Sequence, residues 1–127
     1  MIIEGAQVTA QNLAISAAST NTTPVDLGLN GDYYDAQPWL FVNLTAGFTA
    51  GAIASVKVQT ADAEAFAAAV DVMTVTVPTT IAQTAPAKLI VMKLPRGMKR
   101  WMRLVVAASG TPAGGAVFAG LSTGAPT

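Results

Sequence analysis

The 127-residue sequence contains no cysteine and no histidine. That excludes thiol nucleophiles, zinc sites of the Cys/His kind, Ser-His-Asp chemistry and an imidazole pH switch, while leaving the redox compartment open. Charge is scarce, at 11% of residues, and aromatics make up only 6%. No apolar run approaches the roughly 20 residues that a membrane-spanning helix needs, so no membrane association is expected. The opening MIIEGAQVTAQN has neither a basic n-region nor an apolar h-region, and does not resemble a signal peptide. The glycines of AGFTAG and SGTPAGG are not followed by the lysine of a phosphate-binding loop. Without histidine or cysteine, only carboxylate pairs or a lysine remain for acid–base or nucleophilic work. No enzyme, catalytic residue, cofactor or metal site is expected.

What is present is a chain of 12.9 kDa, rich in Ala, Thr, Val and Gly, and long enough to bury one core without staples. A single domain over residues 1–127 is expected, its sparse charged coat pointing to a surface partly covered by partners. The net charge of zero conceals a strong segregation. Residues 1–87 hold all seven acids (Glu4, Asp26, Asp32, Asp35, Asp62, Glu64, Asp71) and the single base Lys57, whereas residues 88–127 hold six bases and no acid. Five of those bases, Lys93, Arg96, Lys99, Arg100 and Arg103, lie in the short stretch MKLPRGMKRWMRL. Two poles in sequence suit electrostatic docking onto neighbours.

The periodicity is that of strands. In PWLFVNLTA (38–46), Leu40, Val42 and Leu44 share one face and Trp39, Phe41 and Asn43 the other. From Ile53 to Thr60 the alternation sets Ala54, Val56, Val58 and Thr60 inward and Ser55, Lys57 and Gln59 outward. VDVMTVTV (70–77) is a β-branched run stopped by Pro78, and strands at 87–94, 101–108 and about 116–121 follow. Weaker candidates lie at 13–18 and 25–29. Turn-rich stretches at 46–51, 78–86 and 109–115 separate them, which argues for an all-β, antiparallel, jelly-roll-like β-sandwich of about seven to eight strands. The helix-like ADAEAFAAAVD (61–71) is expected to connect two strands with Phe66 tucked against the sandwich edge. Residues 1–11 and 120–127 are expected to form an N-terminal arm and a C-terminal tail.

Leu94-Pro95-Arg96-Gly97 has the residues of a tight turn, with Pro95 presetting φ and Gly97 taking a left-handed angle. A hairpin of 87–94 with 98–108 is expected, Arg96 at its tip. It would put Lys99, Trp101, Arg103 and Val105 on one face and Met102, Leu104 and Val106 on the other. Lysine and arginine also protect sheet edges from aggregation. Five cations around one tryptophan exceed that need, and Arg and Trp are enriched at interface hot spots. Lys93, Arg96, Lys99, Arg100, Trp101 and Arg103 are therefore the candidate partner-binding residues. Asp32, Asp35, Asp62 and Glu64 are their candidate acidic counterparts on a sister subunit.

The same LPRGMKRWMRL segment resembles the signature region of the capsid cement (decoration) proteins of tailed phages, of the Bordetella phage type. The pattern is an LPRG turn (Leu94–Gly97), a basic pair (Lys99, Arg100), an aromatic (Trp101) and an Arg-Leu continuation (Arg103-Leu104). TNTTPVDLG (20–28), VKVQTADAEAF (56–66) and AGGAVFAGL (113–121) are similar to other parts of that family, from which the alanine-rich 61–69 stretch departs. The resemblance implies a jelly-roll-like sandwich that forms homodimers or homotrimers. It also implies attachment to the major capsid protein on the outer face of the expanded head, and virions assembled in the cytoplasm of a bacterial host.

Two other classes fit parts of the sequence. A nucleic-acid-binding β-barrel could use cations beside Trp101 to follow a backbone, but zero net charge and a single aromatic on the ribbon speak against it. A carbohydrate-binding virion module could stack sugar on Tyr33, Tyr34 and Trp39 of DYYDAQPW, although aromatics at strand starts usually belong to a core. Asp32 and Asp35 alone fall short of the ligand count of a calcium site.

Overall fold

A computed structural model describes residues 7–27, 38–78, 82–94 and 99–122 of the chain. The alternating segments form strands, and no helix occurs among the described residues. They are β1 (Gln7–Ile15), β2 (Ser19–Asn21), β3 (Val25–Asp26), β4 (Trp39–Ala46), β5 (Ala50–Ala61), β6 (Val70–Thr76), β7 (Ala87–Lys93), β8 (Trp101–Ala113) and β9 (Gly115–Ser122). One antiparallel sheet has the order β1-β9-β4-β7 and the other β2-β8-β5-β6, with β3 also paired to β8. Because β2 and β3 both lie along β8, they fill one strand position. The pairs then nest, first strand with last, as in a long hairpin rolled over on itself.

The two sheets face each other across a core that the alternation dictates. Leu40, Val42 and Leu44 of β4 and Val117, Ala119 and Leu121 of β9 meet Val56 and Val58 of β5 and Met102, Leu104 and Val106 of β8. Burying each of the larger aliphatic side chains contributes about 1.5–3 kcal/mol. The seam beside β1 is closed by hydroxyls. Thr9 Oγ1 donates to the Thr23 carbonyl and accepts from Thr22 Oγ1 at 2.8 Å, and Thr22 Oγ1 accepts the Leu104 N–H at 2.8 Å. These bonds keep buried polar groups satisfied where β2 gives way to β3.

The expected 87–94/98–108 hairpin does not form. Strand β7 pairs with β4 in one sheet, while β8 pairs with β5, β2 and β3 in the other. Leu89 and Ile90 of β7 and Met102, Leu104 and Val106 of β8 all belong to the core, so the two strands bury their apolar faces from opposite sides of it. A turn motif specifies a change of direction, not the sheet into which the next strand goes. Pro95, Arg96 and Gly97 lie outside the described residues.

Other departures have local causes. Residues 7–11 of the expected N-terminal arm belong to β1, and residues 120–122 of the expected tail belong to β9. They are held by the Gln7↔Leu121 and Val8↔Gly120 register. Ala54 is exposed and Ile53 buried, because a register shift between Ile53 and Ser55 reverses the alternation there. Phe41, on the face opposite Leu40 and Val42, is also fully buried, its ring 5.5 Å from that of Phe118. The turn expected over 109–115 contracts to Gly114 at φ +85°, since β8 runs on to Ala113.

The connection into β7 is locked onto β5 by one side chain. The buried Gln83 amide accepts from Ile53 N–H at 2.8 Å and donates to Ile53 C=O at 3.0 Å, acting as a one-residue strand at the bulge. Gln83→Ala strands both backbone groups and is expected to lower stability by about 1–3 kcal/mol in urea unfolding. An unchanged unfolding midpoint and slope would show that the amide is not needed.

Candidate binding face

The period-two geometry of β5 and β8 sends Lys57, Gln59, Trp101, Arg103 and Val105 to the outer face of the β2-β8-β5-β6 sheet. Their cross-strand register sets Gln59 beside Arg103 and Asp71, Lys57 beside Val105 and Thr74, and Asp26 beside Trp101. A chain of contacts crosses three strands. Arg103 Nε donates to Gln59 Oε1 at 2.9 Å, Gln59 Nε2 donates to Asp71 Oδ1 at 2.8 Å, and Lys57 Nζ lies 3.4 Å from Asp71 Oδ2.

The chain entering β8 is pinned from several directions. The Thr60 hydroxyl, on a fully buried residue, accepts Lys99 N–H at 2.7 Å and donates to Trp101 C=O at 2.8 Å. Leu27 N–H bonds Arg100 C=O at 2.6 Å. Arg100 grips Asp26 with both ends of its fork, Nε to Oδ1 at 3.0 Å and Nη2 to Oδ2 at 2.9 Å. Its guanidinium also lies 5.4 Å from the Trp101 ring. Lys99 Nζ is 3.5 Å from Asp62 Oδ2. The hydrogen bonds that Arg100 donates to the Asp26 carboxylate raise its pKa above its already high ordinary value.

Phe66 sits under this face. The β5–β6 connection turns through a left-handed Phe66 (φ 54°), whose N–H bonds Ala63 C=O at 3.0 Å. The ring is buried outside the main core, and the Arg103 guanidinium stacks over it at 4.5 Å. Phe66 is thus buried against the outer face beneath Arg103, whereas the sequence had it tucked against the sandwich edge. Arg103 differs from its basic neighbours: among the described residues no carboxylate pairs with it. It is half-buried and fixed by Gln59 and Phe66, and its hydrogen bond to Gln59 uses Nε.

The six basic and aromatic candidates therefore do not form one cluster. Lys99, Arg100, Trp101 and Arg103 share one end of this sheet. Lys93 belongs to β7 of the opposite sheet, where its ammonium lies 5.0 Å from the Trp39 ring. Arg96 lies outside the described residues, as do Asp32, Asp35, Tyr33 and Tyr34. Asp62 does meet a basic residue, but within its own chain, and Glu64 is exposed. The residues missed from sequence are Asp26, Gln59, Phe66 and Asp71. Of these, the sequence offered the outward phase of Gln59 and the tucked position of Phe66, but neither as part of the site. No group of three or more potential metal ligands occurs among the described residues, and no helix there is long and apolar enough to cross a membrane.

The Gln59 amide holds the Asp71 carboxyl below its ordinary value. Burial opposes the effect, and Lys57 adds to it. A lowered folded-state pKa contributes stability that is fully present above the unfolded value, about 3.9, and is lost as pH falls through the folded one. Gln59→Leu is expected to move the Asp71 midpoint upward in a carbon-13 carboxyl titration. A midpoint that stays put would assign the lowering elsewhere.

No family model matches this sequence, and no curated protein is similar to it.

Proposed function

We propose that this protein is a capsid cement (decoration) protein of a tailed phage. It binds the major capsid protein on the outer face of the expanded shell, as a homo-oligomer, and acts through binding free energy alone. The reading draws on the resemblance of the LPRGMKRWMRL segment and on the antiparallel sandwich, whose nested strand order fits a jelly-roll-like winding. The observation that carries it is Arg103: a guanidinium without a carboxylate partner among the described residues, stacked on Phe66 and oriented by Gln59. Such a side chain loses little freedom on meeting an acceptor, which is what makes a contact worth having at an interface. Many copies, each with a modest interface, reinforce one another through avidity.

A nucleic-acid role gains nothing from this face. Affinity for a phosphate backbone comes from cations that displace condensed counterions. Here Lys99 and Arg100 already face Asp62 and Asp26.

The test is co-sedimentation with phage heads stripped of their cement, beside unexpanded precursor shells. Saturable binding to expanded heads alone, at a stoichiometry that divides the lattice, is expected. Arg96, Lys99 and Arg103 changed together to alanine should weaken retention at least about tenfold, most visibly as salt rises. Arg103→Ala alone should account for most of that loss. Full occupancy by the triple variant would remove this segment as the anchor, and no binding to either shell would sink the assignment for that head.

A further inference from the structure

A sheet edge offers unpaired N–H and C=O groups to any strand that comes beside it, and proteins blunt most of theirs. Among the described residues the two sheets have four edges, and three of them are blunted. Strand β1 carries two register shifts, with Asn12 left-handed at φ 52°, and its Thr9 carbonyl is taken by Thr23 N–H. Strand β7 carries Lys88 and Lys93 and a register shift opposite Val42 and Asn43. The β2–β3 edge is cut into pieces of three and two residues with Pro24 between them.

Strand β6 is different. Its single charge and its register shift both fall within Val70–Met73. Met73–Thr76 is an uninterrupted ladder without charge, proline or glycine, and among the described residues no strand lies on its outer side. The strand is well exposed, Val70 to 45%. The direction of its backbone groups follows from one bond. Val77 N–H donates to Ala54 C=O at 2.9 Å, so Val75, opposite Val56, also bonds inward to β5. Thr74 and Thr76 then direct their N–H and C=O groups to the free edge.

We propose that β6 is a self-pairing edge: a second copy of this chain adds its own β6 antiparallel to it across a two-fold axis. The occupant is a second copy because an antiparallel edge is its own complement under two-fold symmetry and needs no other partner surface. The charge on the strand fits this, since Asp71 is already answered within its own sheet by Lys57 and Gln59. The axis runs perpendicular to the sheet, so both outer faces point the same way. Two Arg103–Phe66 sites would then be displayed on one side of a continuous sheet, which doubles contact with a flat partner. The pairing concerns copies of this chain only and does not depend on the capsid reading.

Sedimentation of the purified full chain tests it, with Thr74→Pro and Thr74→Lys as variants. Proline at 74 removes an outward N–H and leaves the bonds of Val75 and Val77 to β5 in place. Lysine sets like charges near each other across the axis and keeps the backbone intact, so it decides the matter if the proline variant misfolds. Expected are a species of twice the 12.9 kDa chain mass and dissociation constants raised at least about tenfold in both variants. Amide exchange at Thr74 and Thr76 should also slow as protein concentration rises. A monomer at the highest attainable concentration would overturn the proposal. So would an oligomer indifferent to Thr74→Lys, or one in which these two amides exchange at the same rate at every concentration.

Discussion

Strand β8 ties what the molecule buries to what it displays. Met102, Leu104 and Val106 are fully buried at the centre of the core, and the residues between them, Arg103 and Val105, are forced onto the outer face. A slip of one residue would drive the Arg103 guanidinium into the core and expose Leu104, so the register is held by several kilocalories of apolar burial. The same register aligns Gln59 with Arg103 and Ala61 with Trp101. The outer face therefore inherits its geometry from the inner one. Rigidity at Arg103 is a consequence of packing at Leu104.

The segregation of charge along the sequence is partly undone by folding, through Asp26 with Arg100 and Asp62 with Lys99. Asp26, Asp62 and Asp71, from the acidic part, meet Arg100, Lys99 and Lys57. Exposed pairs of this kind contribute little to stability. Their value is positional. Asp26 stands on β3 and Asp62 just past β5, so Arg100 and Lys99 join the entry of β8 to two other elements. Thr60 does the same through the backbone from inside the sandwich. Within the basic segment, Lys99 and Arg100 clamp the entry of β8 onto its own sheet, and Arg103 has no carboxylate partner among the described residues.

Much of this was legible in the sequence where alternation is strict. The first part of β8 follows its apolar period, β4, β6 and β7 were found as apolar or β-branched runs, and the sandwich class follows from the number and spacing of such runs. Strand β1 was misplaced because its two register shifts break the period that would have announced it, and Ile53 and Ala54 were exchanged by a bulge for the same reason. The false hairpin has a different origin. Turn residues carry information about φ, whereas the partner of a strand is decided by where its apolar face can be covered, and that is a property of the whole core. Asp26 as the partner of Arg100, and Asp71 as the partner of Gln59 and Lys57, were invisible for a related reason: a cross-strand neighbour exists only once the register does.

A face built this way cannot rely on long-range attraction. With its lysines and Arg100 opposed by carboxylates a few ångströms away, its field falls off faster than that of bare cations, and physiological salt screens what remains within about 8 Å. Recognition then has to come from short-range geometry: a stacked guanidinium, an indole beside it, and a flat, rigid sheet that holds both. Such contacts reward a partner that presents acceptors at a fixed spacing, and they reward it again for every additional copy. A repetitive, ordered surface satisfies both conditions, and a flexible polyanion satisfies neither. The low charge of this chain and the pairing of the charges it has thus fit the proposed assembly on a lattice better than capture of a diffusing ligand.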